Sequence, residues 1–301
     1  MTVVVIGDAL IDELRDPRGI REFVGGAALN VAVGLVRVGV PATLIAMVGD
    51  DDAGSRIRRY LGDLGVGLIA TPAPHGSARA VSTRTRGEPQ YEFNEAARRR
   101  RIRLGERERA VIAAADLVAV SCVAFDDPEQ ADELRDALAD AASVAIDPNP
   151  RPGMLRDRAA FVQGFERVVP GARLIKVGDD DARLLYRAPL DAVRARMVEL
   201  GAHAVLATRG SAGATIEAGD VVLTRPVPRL PGRIVDTMGA GDAAFAAALA
   251  GLVDHSPTHA DGWDAVLRDA MEMAAATCRF EGALLRTPRA LDGMDLGRIG
   301  T

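Results

Sequence analysis

The chain opens on a short apolar run, Thr2 to Ile6, that stops at Gly7-Asp8. Consecutive branched residues with no polar alternation predict a strand buried on both faces. After an irregular acidic stretch comes Gly25-Gly26. The following Ala27 to Val38 is apolar on most faces and predicts a buried helix, ended by Gly39. A second apolar run, Thr43 to Val48, predicts a strand that stops at Gly49-Asp50, and a helix from about Ala53 to Leu64 is closed by Gly65. The alternation resumes with strands at Leu117 to Ser121, Val144 to Asp147, Leu174 to Val177 and Ala204 to Thr208. Helices are predicted at Pro128 to Ala141, Arg158 to Val168, Asp179 to Tyr186 and Leu190 to Leu200. Short buried strands alternating with helices predict an α/β fold, with a mostly parallel sheet covered by helices on both faces.

Two stretches break this pattern. Ser77 to Arg103 alternates Val81, Thr83 and Thr85, then shows a Gly87-Glu88-Pro89 turn and Tyr91-Glu92-Phe93. That is a hairpin pattern with one polar face. A second polar hairpin is predicted from Ala214 to Arg225. No internal repeat or low-complexity linker interrupts the chain, so residues 1–301 are expected to form one α/β domain with the early hairpin as an appendage. The run Arg98 to Arg101 reads as a solvated loop face, because it is isolated, lacks stacking platforms and sits on an acidic chain.

Composition narrows the classes. Of 301 residues 48% are hydrophobic, ample for a large core, and the formal net charge of −5 gives no general attraction to nucleic acid or membrane. Cys122 and Cys278 lie far apart and suggest no disulfide framework. The four histidines, His75, His203, His255 and His259, show no metal-ligand spacing. No signal peptide and no run long enough to span a bilayer is present, so a cytoplasmic protein is expected.

The chemistry concentrates in Asp236-Thr237-Met238-Gly239-Ala240-Gly241-Asp242, preceded by a short apolar strand, Ile234-Val235, and followed by an Ala-rich helix, Ala243 to Leu252. Two glycines let the backbone turn tightly, and the helix aims its free N–H groups at the turn, which makes an anion site. Three readings stay open at this point. Asp242 could be a first-turn acid that stabilises the helix dipole. Gly239, Gly241 and Ala244 also fit a dinucleotide fingerprint, which requires a strand after the helix; the sequence instead runs through Asp254-His255-Ser256-Pro257 into a second helix. The third reading is phosphoryl transfer to a hydroxyl with Asp242 as base. Lys176, the only lysine, follows Ile175, so no Walker A loop exists, and no kinase-type D-F-G set is present.

Polar groups recur at the carboxyl ends of the predicted strands, where such sheets bind ligands. They are Asp8 and Asp12, Gly25-Gly26 with Asn30, Asp147 with Asn149 and Arg151, Lys176, Thr208 to Gly213, and Asp236 to Asp242. Together they resemble the ribokinase/PfkB-like carbohydrate kinase family over essentially the whole chain. Two blocks carry the resemblance: Gly25-Gly26-Ala27-Ala28-Leu29-Asn30 running on through Gly49 to Gly54, and Asp236 to Asp242.

The resemblance implies a ribokinase-like fold and ATP-dependent phosphorylation of a sugar hydroxyl. Asp242 matches the general base, and the amides of Gly239, Ala240 and Gly241 match the anion hole. Asp12, Gly25, Gly26 and Asn30 match sugar-binding positions, with Arg151 beside them. Lys176, Thr208, Gly210, Gly213 and Cys278 fall on the nucleotide side. Segments 10–21 and 77–103 match a lid, which in this family often mediates a homodimer. Mg²⁺ would accompany ATP. The family's N-x-x-E pattern is replaced by Gly178-Asp179-Asp180-Asp181, leaving Asp181 to act on Mg²⁺ through a water. A K⁺ site would lie near Asp236 and the loop Cys278 to Thr287. Glycine is common where Ala28 stands, implying a slightly smaller pocket here. Asp147-Pro148-Asn149-Pro150-Arg151-Pro152 and Gly7 to Asp12 resemble fructokinases first, with 2-keto-3-deoxygluconate kinase or ribokinase as alternatives. A dinucleotide-binding enzyme or a catalytically silent sugar-binding module is the reading from another class.

Overall fold

The computed structural model describes residues 1–16, 19–83 and 90–291. Its elements in order are β1 (Val3–Gly7), β2 (Leu10–Asp16), β3 (Gly19–Gly25), α1 (Ala27–Arg37), β4 (Ala42–Met47), α2 (Asp52–Asp63), β5 (Gly67–Thr71), β6 (Ala78–Thr83), β7 (Gln90–Phe93), α3 (Glu95–Arg98), α4 (Glu106–Ala113), β8 (Leu117–Ser121), α5 (Pro128–Leu138) and β9 (Val144–Asp147). They continue with α6 (Arg158–Glu166), β10 (Leu174–Gly178), α7 (Asp179–Asp181), α8 (Leu190–Glu199), β11 (Val205–Thr208), β12 (Ala214–Ala218), β13 (Val221–Arg225), α9 (Ala240–His255) and α10 (Ala260–Thr277). A π-helical turn, Ala182–Tyr186, carries α7 onward.

The large sheet runs β13-β12-β11-β10-β9-β8-β1-β4-β5, and every pair from β11 to β5 is parallel. Its strands are buried on both faces, as their unbroken apolar runs require. Val3 and Val5 enter the core on one side, with Leu35, Ile57, Phe245 and Leu267 from α1, α2, α9 and α10. Val4 and Ile6 enter the other, with Ile112, Leu134, Phe161 and Val193 from α4, α5, α6 and α8. The chain leaves β1 toward β4 and β5, then returns to β8 on the opposite side. The order therefore reverses at β1, and the crevice at that switch point is where such sheets place ligands. From Asp242 to Leu252 every residue of α9 is buried, so this helix is apolar all round and sits inside the protein.

A second sheet, β3-β2-β6-β7, covers one end of the crevice as a lid. Its β2–β3 and β6–β7 pairs are antiparallel, and β2–β6 is parallel. Glu22 on β3 pairs with Arg79 at 2.7 Å and with Arg56 of α2, and those two guanidinium bonds hold its carboxyl below its usual range. Arg21 reaches across to Glu281 at 2.7 Å.

The structure departs from the expected elements at several places. The acidic stretch before Gly25 is the β2–β3 hairpin, whose charges sit on a sheet that is open to solvent on part of each strand. Ile234-Val235 is no strand. Both are exposed at 62% and 41%, and the Val235 N–H donates to the Cys278 carbonyl at 2.8 Å. Strand β5 and helix α4 were not anticipated. The arginine run is not uniformly solvated. The single turn of α3 carries the chain back toward the body, so Arg100 is buried at 8% exposure. Its guanidinium donates to the carbonyls of Cys122 at 3.3 Å and of Ala97 and Met154 at 3.4 Å. The Gly87-Glu88-Pro89 turn and Thr85 lie outside the described residues. Among the described residues no helix is long and apolar enough to cross a membrane.

Candidate active site

The Asp236 to Asp242 turn lies between Val235, tied to Cys278, and the first turn of α9. Gly239 has φ of 76°, and a Cβ there would stand 2.1 Å from the Ala283 carbonyl oxygen. Only glycine fits this left-handed, crowded position. The Asp236 carboxylate accepts from the Met238 amide at 3.0 Å and the Gly282 amide at 3.4 Å. It thereby binds the turn to the loop after α10. The Ala240 N–H bonds to Thr237 at 3.3 Å and Ala243 to Gly239 at 2.8 Å, whereas the amides of Gly241 and Asp242 make no such bond. Those free N–H groups, at the start of a 16-residue helix, fit an anion such as a phosphoryl group.

Asp242 is buried at 5% exposure, and both of its oxygens are held. Asn30 Nδ2 of α1 donates to Oδ2 at 2.9 Å, and Asn149 Nδ2 donates to Oδ1 at 3.2 Å. Asn149 follows β9 and has φ of 40°, a left-handed conformation that asparagine tolerates and that aims its amide at Asp242. Two donors from different elements fix the carboxylate's orientation, which a mere dipole-stabilising acid does not need. No strand follows α9; α10 does, so the turn is not part of a dinucleotide-binding βαβ unit.

Carboxylates crowd the lid side of Asp242. Asp8, just after β1, accepts from the Ala28 amide at 2.9 Å and so caps α1. Asp12 on β2 shares its neighbourhood. Burial first, and then the charge of Asp8, push the Asp12 carboxyl up to about 7, with Arg151 pulling the other way and Asp242 adding to the rise. Gly25 pairs with Leu10, two residues from Asp12 on β2, and a Cβ there would stand 2.3 Å from Asp12 Oδ2. Glycine at this position is what lets the carboxylate lie flat against β3. Gly26 precedes α1 and accepts from the Asn30 amide at 2.8 Å. The Ala28 methyl lies against Gly7 of β1, whose missing side chain accommodates it.

The other end is cationic. Lys176 on β10 is buried, and its Nζ donates to Asp147 Oδ2 at 2.8 Å. Burial would lower this ammonium, but the charge and hydrogen bond of Asp147 with the charges of Asp181 and Asp242 together outweigh burial and hold it above the usual lysine range. The position of a Cβ on Gly241 is 3.2 Å from Nζ, so the ammonium stands against the free amides of α9. Asp147 Oδ1 has no partner. Asp181 accepts from the Gly178 amide at 2.7 Å, and burial raises its carboxyl. Thr208 lies beside Gly178 in the parallel β10–β11 register. Gly210 is exposed with open space around it, and Gly213 is buried against the Arg225 carbonyl.

Among the described residues no three acidic, histidine or cysteine side chains converge on one metal position. Asp181 and the unpartnered Oδ1 of Asp147 form a sparse carboxylate set, of the kind that suits Mg²⁺, which keeps most of its waters and rests chiefly on substrate phosphates. The structure thus brings Asp12, Gly25, Gly26, Asn30, Arg151 and Asp242 to one end of the crevice. Lys176, Asp181 and Thr208 stand at the other, with Asp236 and Cys278 beneath the turn. Asp8 and Asn149 stood at strand ends in the sequence with no role attached. The signal for Asn149 was its place between two prolines directly after a strand, which fixes the backbone around it.

The pfkB family carbohydrate kinase model matches residues 1–289. A fructokinase of Rhizobium leguminosarum bv. trifolii is 30% identical over 266 residues, covering 83% of this chain and 79% of that protein. The fructosamine kinase FrlD of Bacillus subtilis (strain 168) is 29% identical over 294 residues, covering 94% and 93%. The crystal structure of aminoimidazole riboside kinase from Salmonella enterica, complexed with aminoimidazole riboside and an ATP analogue, is similar in fold. It superposes with a TM-score of 0.78 at 23% identity, covering 97% of this chain and 98% of that one. The chain belongs to the pfkB family of carbohydrate kinases and is an ATP-dependent carbohydrate kinase.

Proposed function

We propose that the protein is a fructokinase that transfers the γ-phosphoryl group of ATP to the 6-hydroxyl of D-fructose, with residues 1–301 working as one catalytic domain. The observation that carries the reading is Asp242, held from both sides by Asn30 and Asn149 beside the free amides of Gly241 and Asp242. A carboxylate next to an anion site would repel phosphate unless it serves the attacking group. Asp242 accepts the proton of the sugar hydroxyl as the oxygen–phosphorus bond forms, and the bond to ADP breaks. The transition state is loose, so a weak base suffices and positioning dominates. The free amides of Gly241 and Asp242, with Lys176, stabilise charge on the phosphoryl oxygens, while the Ala240 N–H, expected in the same anion hole, is spent on the Thr237 carbonyl. Thr208, Gly210, Gly213 and the Cys278 loop border the nucleotide. Mg²⁺ would neutralise the phosphates, with Asp181 acting on it through a water. K⁺ would sit by Asp236, beneath the turn.

Asp12, Gly25, Gly26, Asn30 and Arg151 hold the sugar, and the lid excludes water as a competing acceptor. Fructose is favoured over ribosides because the fructokinase relative reaches 30% identity over most of both chains, whereas the riboside kinase shares 23%. Exposed Ile20 and Phe23 on β3, at 67% and 43%, suit a homodimer through the lid. Sedimentation showing only monomer at high concentration would remove that part. The test of activity is ADP release across fructose, ribose, 2-keto-3-deoxygluconate and nucleosides. Fructose should give the highest kcat/KM. Preference for 2-keto-3-deoxygluconate would move the assignment to the acidic sugar, with Arg151 meeting its carboxylate.

A further inference from the structure

Three of the four arginines from Arg98 to Arg101 face an open cleft of about 640 Å³ outside the catalytic crevice. Arg98, Arg99, Arg101 and Arg156 line it, with only Glu95 and Asp127 as acids. The fourth, Arg100, turns inward and pins the segment to the carbonyls of Cys122 and Met154. Arg101 is committed to Glu129 and Glu133. The other three are loosely held. Arg98 donates to its own Phe93 carbonyl at 2.7 Å and has no carboxylate within ion-pair distance among the described residues. Arg99 lies 3.3 Å from Glu95 in a pair that is more than half exposed on both sides. Arg156 stands 3.5 Å from Asp127 and 3.8 Å from Asp126. The exposed Arg99–Glu95 pair contributes little and exchanges readily for a better anion, and the half-exposed Arg156 guanidinium holds its two buried-side carboxylates only at long range.

The placement gives the cleft a consequence. Arg98 and Arg99 lie at the foot of the lid, because α3 follows β7 directly. Asn94 locks that junction, accepting from the Arg79 amide of β6 at 3.0 Å and donating to the Ser77 carbonyl at 3.0 Å. Arg156 belongs to the body, after β9, beside the Asp127 that caps α5. We propose that this cleft binds a small phosphorylated anion of two or more charges, which bridges Arg98 and Arg99 to Arg156 and braces the lid against the body. Phosphate oxygens suit guanidinium forks. The site is distinct from the anion hole at α9, and the proposal does not depend on which sugar is phosphorylated.

The test saturates the catalytic site with a non-hydrolysable ATP analogue and titrates inorganic pyrophosphate by calorimetry. The native protein should bind one further equivalent, several-fold more weakly at 200 mM than at 50 mM NaCl. R98E/R156E should weaken that binding more than tenfold, and R98A/R156A by less, with kcat in the absence of pyrophosphate unchanged in both. Hydrogen exchange across residues 90–98 should slow on pyrophosphate addition in the native protein only. No further equivalent in the native protein, or equal binding by native and R98E/R156E proteins, overturns the proposal.

Discussion

Replacing Lys176 by methionine keeps most of the stem and removes the ammonium. Its partner Asp147 is fully buried, 2.8 Å away, and the other Asp147 oxygen has no partner. K176M therefore strands a carboxylate in the interior. Removing one side of such a pair costs about 3–5 kcal/mol. The cost must also depend on pH in one direction. Burial raises the Asp147 carboxyl, so without the lysine it folds readily only when protonated. A carboxyl whose folded pKa is raised destabilises as pH climbs above its unfolded value, by about 1.4 kcal/mol per pH unit until the folded pKa is reached. In the native protein burial already holds the Asp147 carboxyl up to about 7 against the pull of Lys176, so the slope there ends near that pH. K176M, without the ammonium, should carry this slope past pH 7, so its deficit against the native protein should grow by about 1.4 kcal/mol from pH 7 to pH 8. In activity, the variant loses a positive group that stands against the α9 amides, and removing one such stabiliser costs about 10²–10³ in kcat. Urea denaturation at pH 5, 6, 7 and 8 measures the first effect, and ATP kinetics at saturating sugar the second. Equal destabilisation at pH 5 and pH 8, or normal kcat/KM for ATP, would refute the reasoning.

Asp12→Asn should stabilise the sugar-free protein above pH 7, with the gain shrinking toward pH 4. The native carboxyl, pushed up to about 7, loses folding stability as pH rises from its unfolded value, and asparagine does not. Thermal melts against pH check the sign. The same variant should raise the sugar KM about 10- to 100-fold by losing a charge-assisted hydrogen bond. Gly25→Ala should evict the Asp12 carboxylate, since the new Cβ would stand 2.3 Å from Oδ2. A loss of about 10² in kcat/KM for sugar is expected from such a displacement, with ATP affinity retained in calorimetry.

The parallel sheet was legible because its strands are unbroken apolar runs, several of them ending at Gly-Asp or Asp-Pro punctuation. Val3 to Ile6 and Leu117 to Ser121 carry their burial on their face. The lid was only half legible. Strand β3 alternates Ile20, Glu22 and Val24 against Arg21 and Phe23 with partial burial on both sides, so no face declares itself. Strand β5 was missed because Gly67 opens it and its burial is mixed. Ile234-Val235 read as a strand from its branched side chains, but its backbone pairs with a helix end instead of a sheet. At the site, the chemistry of the turn pointed to Asp242 and its glycines, and the family resemblance to Asn30. The Asn149 bond to Asp242 joins residues 93 apart in sequence, which no local pattern encodes. Arg100 was misplaced because its neighbours are exposed, and only the fold turns it inward.

The role of Asp242 is tested most directly by Asp242→Asn, with kcat, ATP and sugar affinity, and melting temperature measured on one preparation. Asparagine keeps the size but cannot take the hydroxyl proton as a carboxylate does. The expected result is a loss of about 10²–10⁴ in kcat, with both ligands bound and ATP affinity held or raised, because a negative charge facing the phosphate has gone. Near-normal kcat with a lowered melting temperature would contradict it and leave Asp242 as a helix-stabilising acid.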